Sequence, residues 1–276
     1  MTTLNIIGGG RVGKTLGHLF HAAHVFQVQG VLTRSQPGAL QASGFIGAGM
    51  AHSRLADMPQ ADVWMLAVPD AQIATVAVAL ADLVGSQPRP AMAFHCSGAL
   101  SSGELAPLHR LGWHVASAHC LLSFARPELA LTQFANTPCA LEGDVLAVPV
   151  LEAAFTQIGA RCFTLSAEHK LLYHAGAVFA TNFLPVLQDL AEQLWQHSGM
   201  PPELVLQLRE RLLNNAVNNI VALGPQAALT GPAARGDQAL VATQGLAVSR
   251  WNCDAGAAYQ ALSLLAGKMA TRLPVS

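Results

Sequence analysis

Leu4-Asn5-Ile6-Ile7-Gly8-Gly9-Gly10-Arg11-Val12-Gly13-Lys14-Thr15-Leu16-Gly17 is the stretch around which the chain is read. A short apolar run ends in Gly8, Gly10 and Gly13 at G-x-G-x-x-G spacing and continues into Leu16, Leu19 and Phe20, one face of a helix. The spacing predicts a strand, a tight turn and a helix start. Each glycine has its own reason: Gly8 lets the chain turn, Gly10 lets a pyrophosphate approach the backbone, and Gly13 brings helix and strand together. Gly17 extends that close-packing face by one helical turn. The N–H groups at the start of the helix, around Arg11, Val12 and Gly13, favour the phosphates of a dinucleotide. Gly8 to Thr15 also reads G-x-x-x-x-G-K-[ST], the phosphate loop of nucleoside triphosphatases. That motif needs a longer turn and an acidic magnesium ligand at the end of a later apolar strand, and the best candidate, Asp70, lies beyond Pro69. The dinucleotide reading fits better and leaves Lys14 as a solvated first-turn residue.

Outward from this turn, residues 26–32 read as a second strand, followed by Thr33-Arg34-Ser35. Dinucleotide folds hold an adenosine ribose at this place: an acid there binds a 2′-hydroxyl, an arginine a 2′-phosphate. Arginine is present and acid absent, which favours NADP over NAD. Residues 62–68 form a nearly unbroken apolar strand, the pattern of a parallel sheet covered on both faces. Val68, Pro69 and Asp70 follow at its end. A helix over 71–84, with Ile73, Val76, Leu80 and Leu83 on one side, leads through a loop at 85–90 into a strand at 91–95. Pro69, Asp70, His95 and Ser97 are expected to point into the ligand crevice at the strand ends. Further strands are expected at 113–118, ending at His119, at 137–141 and at 161–165. Asp144 is expected to cap a helix over 145–158 that Gly159 closes. The alternation predicts an α/β domain with a doubly wound, mostly parallel sheet of the Rossmann type over residues 1–165.

From Ser166, read as a helix cap, the period becomes helical and stays so, giving an all-helical second domain over 166–276. The first helix runs to about His197 with a kink at Pro185. A second runs over 203–223, with Val205, Leu208, Leu212, Ala216, Ile220 and Leu223 at core spacing, and ends at Gly224-Pro225. Two more are expected at 238–248 and 255–272, capped by Asp237 and Asp254.

Composition excludes several functions. With 15 Lys and Arg against 16 Asp and Glu, and no basic cluster, nucleic acid and anionic membranes are poor partners. Charged residues are only 11% of the chain and hydrophobic ones 52%, so some apolar surface is expected to be covered by a second subunit. The runs 184–194 and 262–265 are the candidate contacts of a homodimer. No apolar run suggests a membrane span, and the sequence enters its first strand without room for a signal peptide. The five cysteines lack C-x-x-C spacing and the eleven histidines lack H-x-x-x-H pairing with acidic company, so neither disulfides nor a metal centre are expected. A cytoplasmic location fits these features.

Several further stretches coincide with the glycine turn: Leu66-Ala67-Val68-Pro69-Asp70, His95-Cys96-Ser97-Gly98, Tyr173-His174-Ala175-Gly176-Ala177-Val178-Phe179-Ala180-Thr181-Asn182 and Leu229-Thr230-Gly231-Pro232-Ala233-Ala234-Arg235-Gly236-Asp237. Together they resemble, over nearly the full chain, a bacterial family of Rossmann-like NADP-dependent oxidoreductases with a C-terminal helical domain of unassigned function. That family is similar to pyrroline-5-carboxylate reductase, the β-hydroxyacid dehydrogenases and the deazaflavin-dependent NADP oxidoreductases. Relatives often carry His-Pro where this chain has His119-Cys120. The resemblance implies a nicotinamide at the junction of the two domains, with the first long helix contributing to the substrate site. Lys170, one of three lysines, is the possible counterpart of the lysine that β-hydroxyacid dehydrogenases place on that helix.

The candidate catalytic residues are therefore His174, Asn182, Lys170, Ser97 and His119. Lys170, His174 and Asn182 are spaced so that one helix carries them on similar faces. Each has a structural alternative: backbone bonding at the junction for the helix residues, turn capping for Ser97 and His95, a satisfied core position for His119, and a cap with its arginine partner for Asp237 and Arg235. His174 ranks above Lys170 as proton donor because an imidazole exchanges a proton near neutral pH, whereas a lysine must first be desolvated. Two function classes remain: hydride transfer between NADPH and a small carbonyl or imine, or a non-catalytic NADP-binding sensor or interaction protein.

Overall fold

The computed structural model describes residues 1–85 and 91–272. Of the loop expected at 85–90, only Gly85 lies within the described residues. The chain divides into two compact units, Met1–Thr181 and Asn182–Ser276. The division falls later in the sequence than the change of period at Ser166.

The first unit is an eight-stranded sheet in the order β3-β2-β1-β4-β5-β6-β7-β8. Its strands are β1 (Thr3–Ile7), β2 (Gln27–Leu32), β3 (Met50–His52), β4 (Val63–Leu66), β5 (Met92–His95), β6 (His114–Cys120), β7 (Pro138–Gly143) and β8 (Arg161–Thr164). All pairs are parallel except β6 with β7. Helices cover both faces: α1 (Arg11–Ala22), α2 (Gln36–Ile46), α3 (Asp70–Val84), α4 (Ala106–His109), α5 (Pro127–Gln133) and α6 (Ala147–Gln157). Alternate strand residues feed two cores. Leu4, Ile6, Val31, Met65 and Phe94 pack with Leu16 and Phe20 of α1 and Phe155 of α6, while Ile7, Trp64, Leu66 and Ala93 pack with Ile73, Ala77 and Leu80 of α3. The strand order reverses between β1 and β4, which opens a crevice outside their carboxyl ends. This is the doubly wound, mostly parallel α/β fold expected.

Several local expectations are corrected. The buried side of α3 is Ile73, Ala77 and Leu80, and Leu83 is exposed, because the face toward the sheet turns with the 3.6-residue period. Asp144 does not cap α6: its carboxylate accepts the Val115 N–H of β6 at 2.7 Å, and the carbonyl of Asp144 receives the first N–H groups of the helix. Ser166 stands before a 3₁₀ turn, but its hydroxyl meets Nδ1 of His169 at 2.7 Å instead of a backbone N–H.

The expected single long helix is three pieces: α7 (Lys170–Ala177), a π-helical turn (Val178–Asn182) and α8 (Phe183–His197). The irregularity therefore precedes Pro185, which sits in the first turn of α8.

The helices of the second unit continue with α9 (Pro202–Ala228), α10 (Gln238–Trp251) and α11 (Cys253–Ala270). Gly224, at φ 77° and ψ 163°, breaks the helical winding of α9 at the expected place. Asp237 accepts the Leu240 N–H and caps α10 as expected. Asn252, not Asp254, caps α11, accepting the N–H groups of Asp254 and Ala255 at 3.0 Å. No ion pair joins Arg235 to Asp237 among the described residues. The expected core face of α9 is not a core: Val205 alone is buried, and Leu212, Ile220 and Leu223 are exposed. Among the described residues, no helix is long and apolar enough to cross a membrane.

Candidate active site

The glycine turn joins β1 to α1 with no room for side chains. Gly8 has φ +112°, and a Cβ there would lie 2.2 Å from the Ala67 carbonyl oxygen; one at Gly13 would lie 2.0 Å from the Gly8 oxygen. Gly10 differs: nothing stands within 4 Å of where its Cβ would be. The fold thus requires the first and third glycines, while the second leaves open space beside the start of α1. That is the arrangement a pyrophosphate needs, so these residues fit a dinucleotide. Lys14 turns aside to Gln41 at 3.2 Å, away from the role it has in a triphosphate loop.

Thr33, Arg34 and Ser35 stand next to this turn. A Cβ on Gly9 would touch Thr33 Cγ2 at 2.6 Å, and Ser35 caps α2 by accepting the Gly38 N–H at 3.3 Å. Thr33 Oγ1 donates to the Ser35 carbonyl at 2.8 Å, which fixes the loop and leaves the Arg34 side chain exposed. Val68 and Pro69 follow β4 on the other side of the turn, with Ala67 bonded to the Ile7 carbonyl. All the expected cofactor residues of the first unit therefore lie along the carboxyl edge of β1, β2, β4 and β5.

At the end of β5, Ser97 is bonded on every side. Its hydroxyl donates to Asp70 Oδ2 at 2.8 Å and accepts the N–H groups of Ala99 and Leu100. Its N–H donates to His95 Nδ1, and its carbonyl accepts from Lys170 Nζ at 3.2 Å. His95 does not point into the crevice as expected. It is fully buried, its Nε2 facing the Ser101 carbonyl at 2.9 Å, and burial lowers its pKa.

Lys170 is 1% exposed, and Nζ also donates to Ser117 Oγ at 2.8 Å. Ser117 passes the contact on to Glu142 Oε2 at 3.0 Å, and Glu142 further accepts the N–H and hydroxyl of Ser102, each at 2.7 Å. Desolvation lowers the lysine pKa, opposed by the charges of Glu142 and Asp70. Glu142 and Ser117 were not singled out from the sequence.

His119 and His174 meet above Gly98. Their rings are 5.7 Å apart, and a Cβ on Gly98 would lie 2.6 Å from His174 Cδ2 and 2.8 Å from His119 Nε2. His119 Nδ1 is 2.9 Å from the Tyr173 hydroxyl, a residue the sequence argument quoted without giving it a role. Burial, with the charges of His174 and Lys170, pushes the His119 pKa down to about 4. His119 also lines a cavity of about 90 Å³ with Val12 and Leu16 of α1, Cys96, Cys120, Leu122 and Phe124. This cavity links the imidazole to the helix behind the glycine turn. Asn182 lies on the π-helical turn, and the spacing that put it on the face of His174 assumes unbroken α geometry. A larger cavity, about 790 Å³, lies in the second unit between α10 and α11, lined mainly by small and apolar residues such as Ala242, Gly245 and Leu246. All five cysteines are free thiols, and the described residues hold no group of three or more His, Cys, Asp or Glu side chains placed to bind a metal.

Residues 2–120 match the family model described as a Rossmann-like domain, and residues 137–266 match a domain of unknown function, DUF2520. The chain pairs a Rossmann-like domain with a DUF2520 domain. This pairing agrees with the Rossmann-like architecture and C-terminal domain of unassigned function that the sequence motifs resemble. The Rossmann-like domain contains the glycine turn, Thr33 to Ser35 and His119, whereas the DUF2520 match takes in Glu142, Lys170, Tyr173 and His174. Over 97% of its length the chain is similar to 98% of protein TM1727 from Thermotoga maritima, at 26% identity and a TM-score of 0.72. It is similar in fold to BF3122 from Bacteroides fragilis, provisionally named an NADP oxidoreductase, at 19% identity, TM-score 0.76 and coverage of 97% and 98%. The Plasmodium falciparum pyrroline carboxylate reductase with NADP bound shares 13% identity over 98% of both chains, with a TM-score of 0.56. No curated protein matches the sequence.

Proposed function

We propose that the chain is an NADP-dependent oxidoreductase that transfers hydride between NADPH and a small carbonyl or imine. The observation that carries this reading is the convergence of His119 and His174 on Gly98, beside a cavity that reaches Val12 of the glycine-turn helix. Similarity in fold to a reductase whose structure holds NADP supports it. In this reading residues 1–165 hold the dinucleotide, and the helical remainder, 166–276, supplies substrate contacts and a homodimer interface. Gly8, Gly10, Arg11, Val12 and Gly13 receive the pyrophosphate, Thr33, Arg34 and Ser35 the 2′-phosphate, and Val68, Pro69 and Ser97 line the nicotinamide side. The bound cofactor supplies hydride.

The chain's own residues handle position and protons. Lys170 donates to the Ser97 carbonyl and Ser117 and so holds the loop under Gly98. His119 is neutral at physiological pH and polarises a carbonyl or imine by hydrogen bonding, which leaves His174 to exchange the proton. Asn182 orients the substrate. A homodimer accords with the exposed apolar side chains of α9 and α11, such as Val221 and Leu264.

The second reading, a non-catalytic NADP sensor, is favoured by the engagement of Ser97 and Lys170 with each other and with Asp70 and Ser117. A panel of small carbonyls and imines separates the two. Steady NADPH oxidation with any member, reduced about 10²-fold in His174→Gln with NADPH affinity kept within a few fold, supports the reductase. NADPH binding with no oxidation across the panel refutes it.

A further inference from the structure

The Tyr173 hydroxyl and His119 Nδ1 are 2.9 Å apart, and the rings meet edge to face at 5.6 Å and 89°. We infer that Tyr173 is a positioning residue that fixes the tautomer of His119, so that the imidazole presents Nε2–H to the space above Gly98. The inference rests on the reading of that space as the reaction centre, but its chemistry is independent of any substrate.

A phenol carries one proton, and this one has no protein acceptor among the described residues other than His119 Nδ1. Burial raises the Tyr173 pKa far above its ordinary value, so the hydroxyl stays a donor. The neutral His119 ring carries a single N–H. With Nδ1 occupied as acceptor, that hydrogen belongs on Nε2, since the partner of one ring nitrogen decides the state of the other. The opposite tautomer would point an N–H at the phenol oxygen and turn the phenol proton away from its partner.

The direction of Nε2 gives the arrangement its use. It lies 2.8 Å from where a Gly98 Cβ would stand, and His174 Cδ2 lies 2.6 Å from the same point. Any side chain at residue 98 would fill the space that both rings face. Nε2 has no hydrogen-bond partner among the described residues, whereas Nδ1 has one. His119 offers a fixed neutral donor to a substrate oxygen or nitrogen, and His174, whose ring faces the same space, completes the pair above Gly98. Tyr173 is itself held by packing, its ring set against Phe163 at 6.0 Å and 67°. The charged or titratable groups acting on His119 are His174 and Lys170, which disfavour its protonation, and Asp70, which favours it.

The test is two-bond ¹H–¹⁵N correlation on full-length protein labelled with ¹⁵N-histidine, with the His119 signals assigned by their loss in His119→Gln. The expected wild-type result is one neutral tautomer, Nε2–H, from pH 8 down to about pH 5, below which His119 titrates. Tyr173→Phe keeps the ring packing and removes the donor. The Nδ1–H form should then rise at least about threefold, and the protonation midpoint should move upward, because the lost bond favoured the neutral ring. A protein in which Tyr173 merely packs would show neither change. An Nδ1–H tautomer in the wild type, or an unchanged tautomer ratio in a folded Tyr173→Phe, overturns the inference; the wild-type spectrum decides even where the variant fails to fold. The outcome is separable from that of the oxidoreductase reading, since the spectra need no substrate. The expected tautomer without NADPH oxidation would refute only the catalytic proposal.

Discussion

The buried pair Lys170 and Glu142 makes a quantitative prediction, because Ser117 stands between the charges and the two single variants leave unequal remainders. Lys170→Met removes an ammonium from a site 1% exposed, yet Glu142 keeps three donors: the Ser102 N–H, the Ser102 hydroxyl and the Ser117 hydroxyl. The expected loss is about 2–3 kcal/mol, below the ~3–5 kcal/mol usual for breaking a buried pair, since the remaining carboxylate is still well bonded. Glu142→Gln is worse. It removes the larger of the two carboxylate charges that favour the ammonium, leaving that of Asp70, and turns an amide NH₂ toward at least one of those donors, for an expected loss of about 3–5 kcal/mol. The double variant should cost at least ~1.5 kcal/mol less than the sum. Urea unfolding can follow this through Trp64 and Trp113, which are buried together in the first unit at a ring distance of 6.3 Å, in a background where Trp195 and Trp251 are phenylalanine. The pH dependence adds a signed check. The folded Lys170 has a lowered pKa, so at alkaline pH it releases a proton that the unfolded chain retains, and stability contributed by the site rises with pH. The difference between wild type and Lys170→Met should therefore widen from pH 7 toward the ordinary lysine range. Additive single variants, or a difference that narrows with pH, would refute the relay.

Three further predictions concern the cofactor and the assembly. Gly10→Ala should leave the melting temperature unchanged, since nothing lies within 4 Å, while weakening NADPH binding at least about tenfold; Gly13→Ala, 2.0 Å from the Gly8 oxygen, should destabilise the first unit itself. Thermal melts and titration calorimetry on both variants check this, and equal stability losses would count against it. Arg34→Asp should weaken NADPH by a factor of about ten or more, ~1.4 kcal/mol, and shift preference toward NADH. Equal affinity of the wild type for both nucleotides would sink the 2′-phosphate assignment. Light scattering at micromolar concentration should give twice the chain mass, and Val221→Glu or Leu264→Glu, at side chains 81% and 60% exposed, should lower it. A monomeric wild type would remove the dimer.

What the sequence made legible was local, and the reason can be seen residue by residue. Gly8 and Gly13 were readable because the absence of a Cβ is itself the message, and the backbone contacts at 2.2 and 2.0 Å show what the absence permits. Asp237 was readable as a cap because its acceptor serves an N–H three residues on. Asp144 and Asp254 carry the same local signal and do something else: one is taken by Val115 across 29 residues, and the other is outcompeted by Asn252 two residues earlier. Residues 36–52 are hard to read since glycines at 38, 44, 47 and 49 dilute any period and β3 is only three residues long. The polar support beneath Gly98 is harder still, its partners being 73, 53 and 40 residues apart for Lys170 with Ser97, Lys170 with Ser117 and Ser102 with Glu142. One signal is nonetheless present. Glu142 follows the apolar Cys139-Ala140-Leu141 of an expected strand, and a carboxylate at such a place needs partners because burying it alone is prohibitive. Lys170 opens a helical run and is one of only three lysines, the other two lying on the glycine-turn helix and near the end of the chain. The structure joins this acid to Lys170 through Ser117, linking β7 to α7 beneath the loop at Gly98.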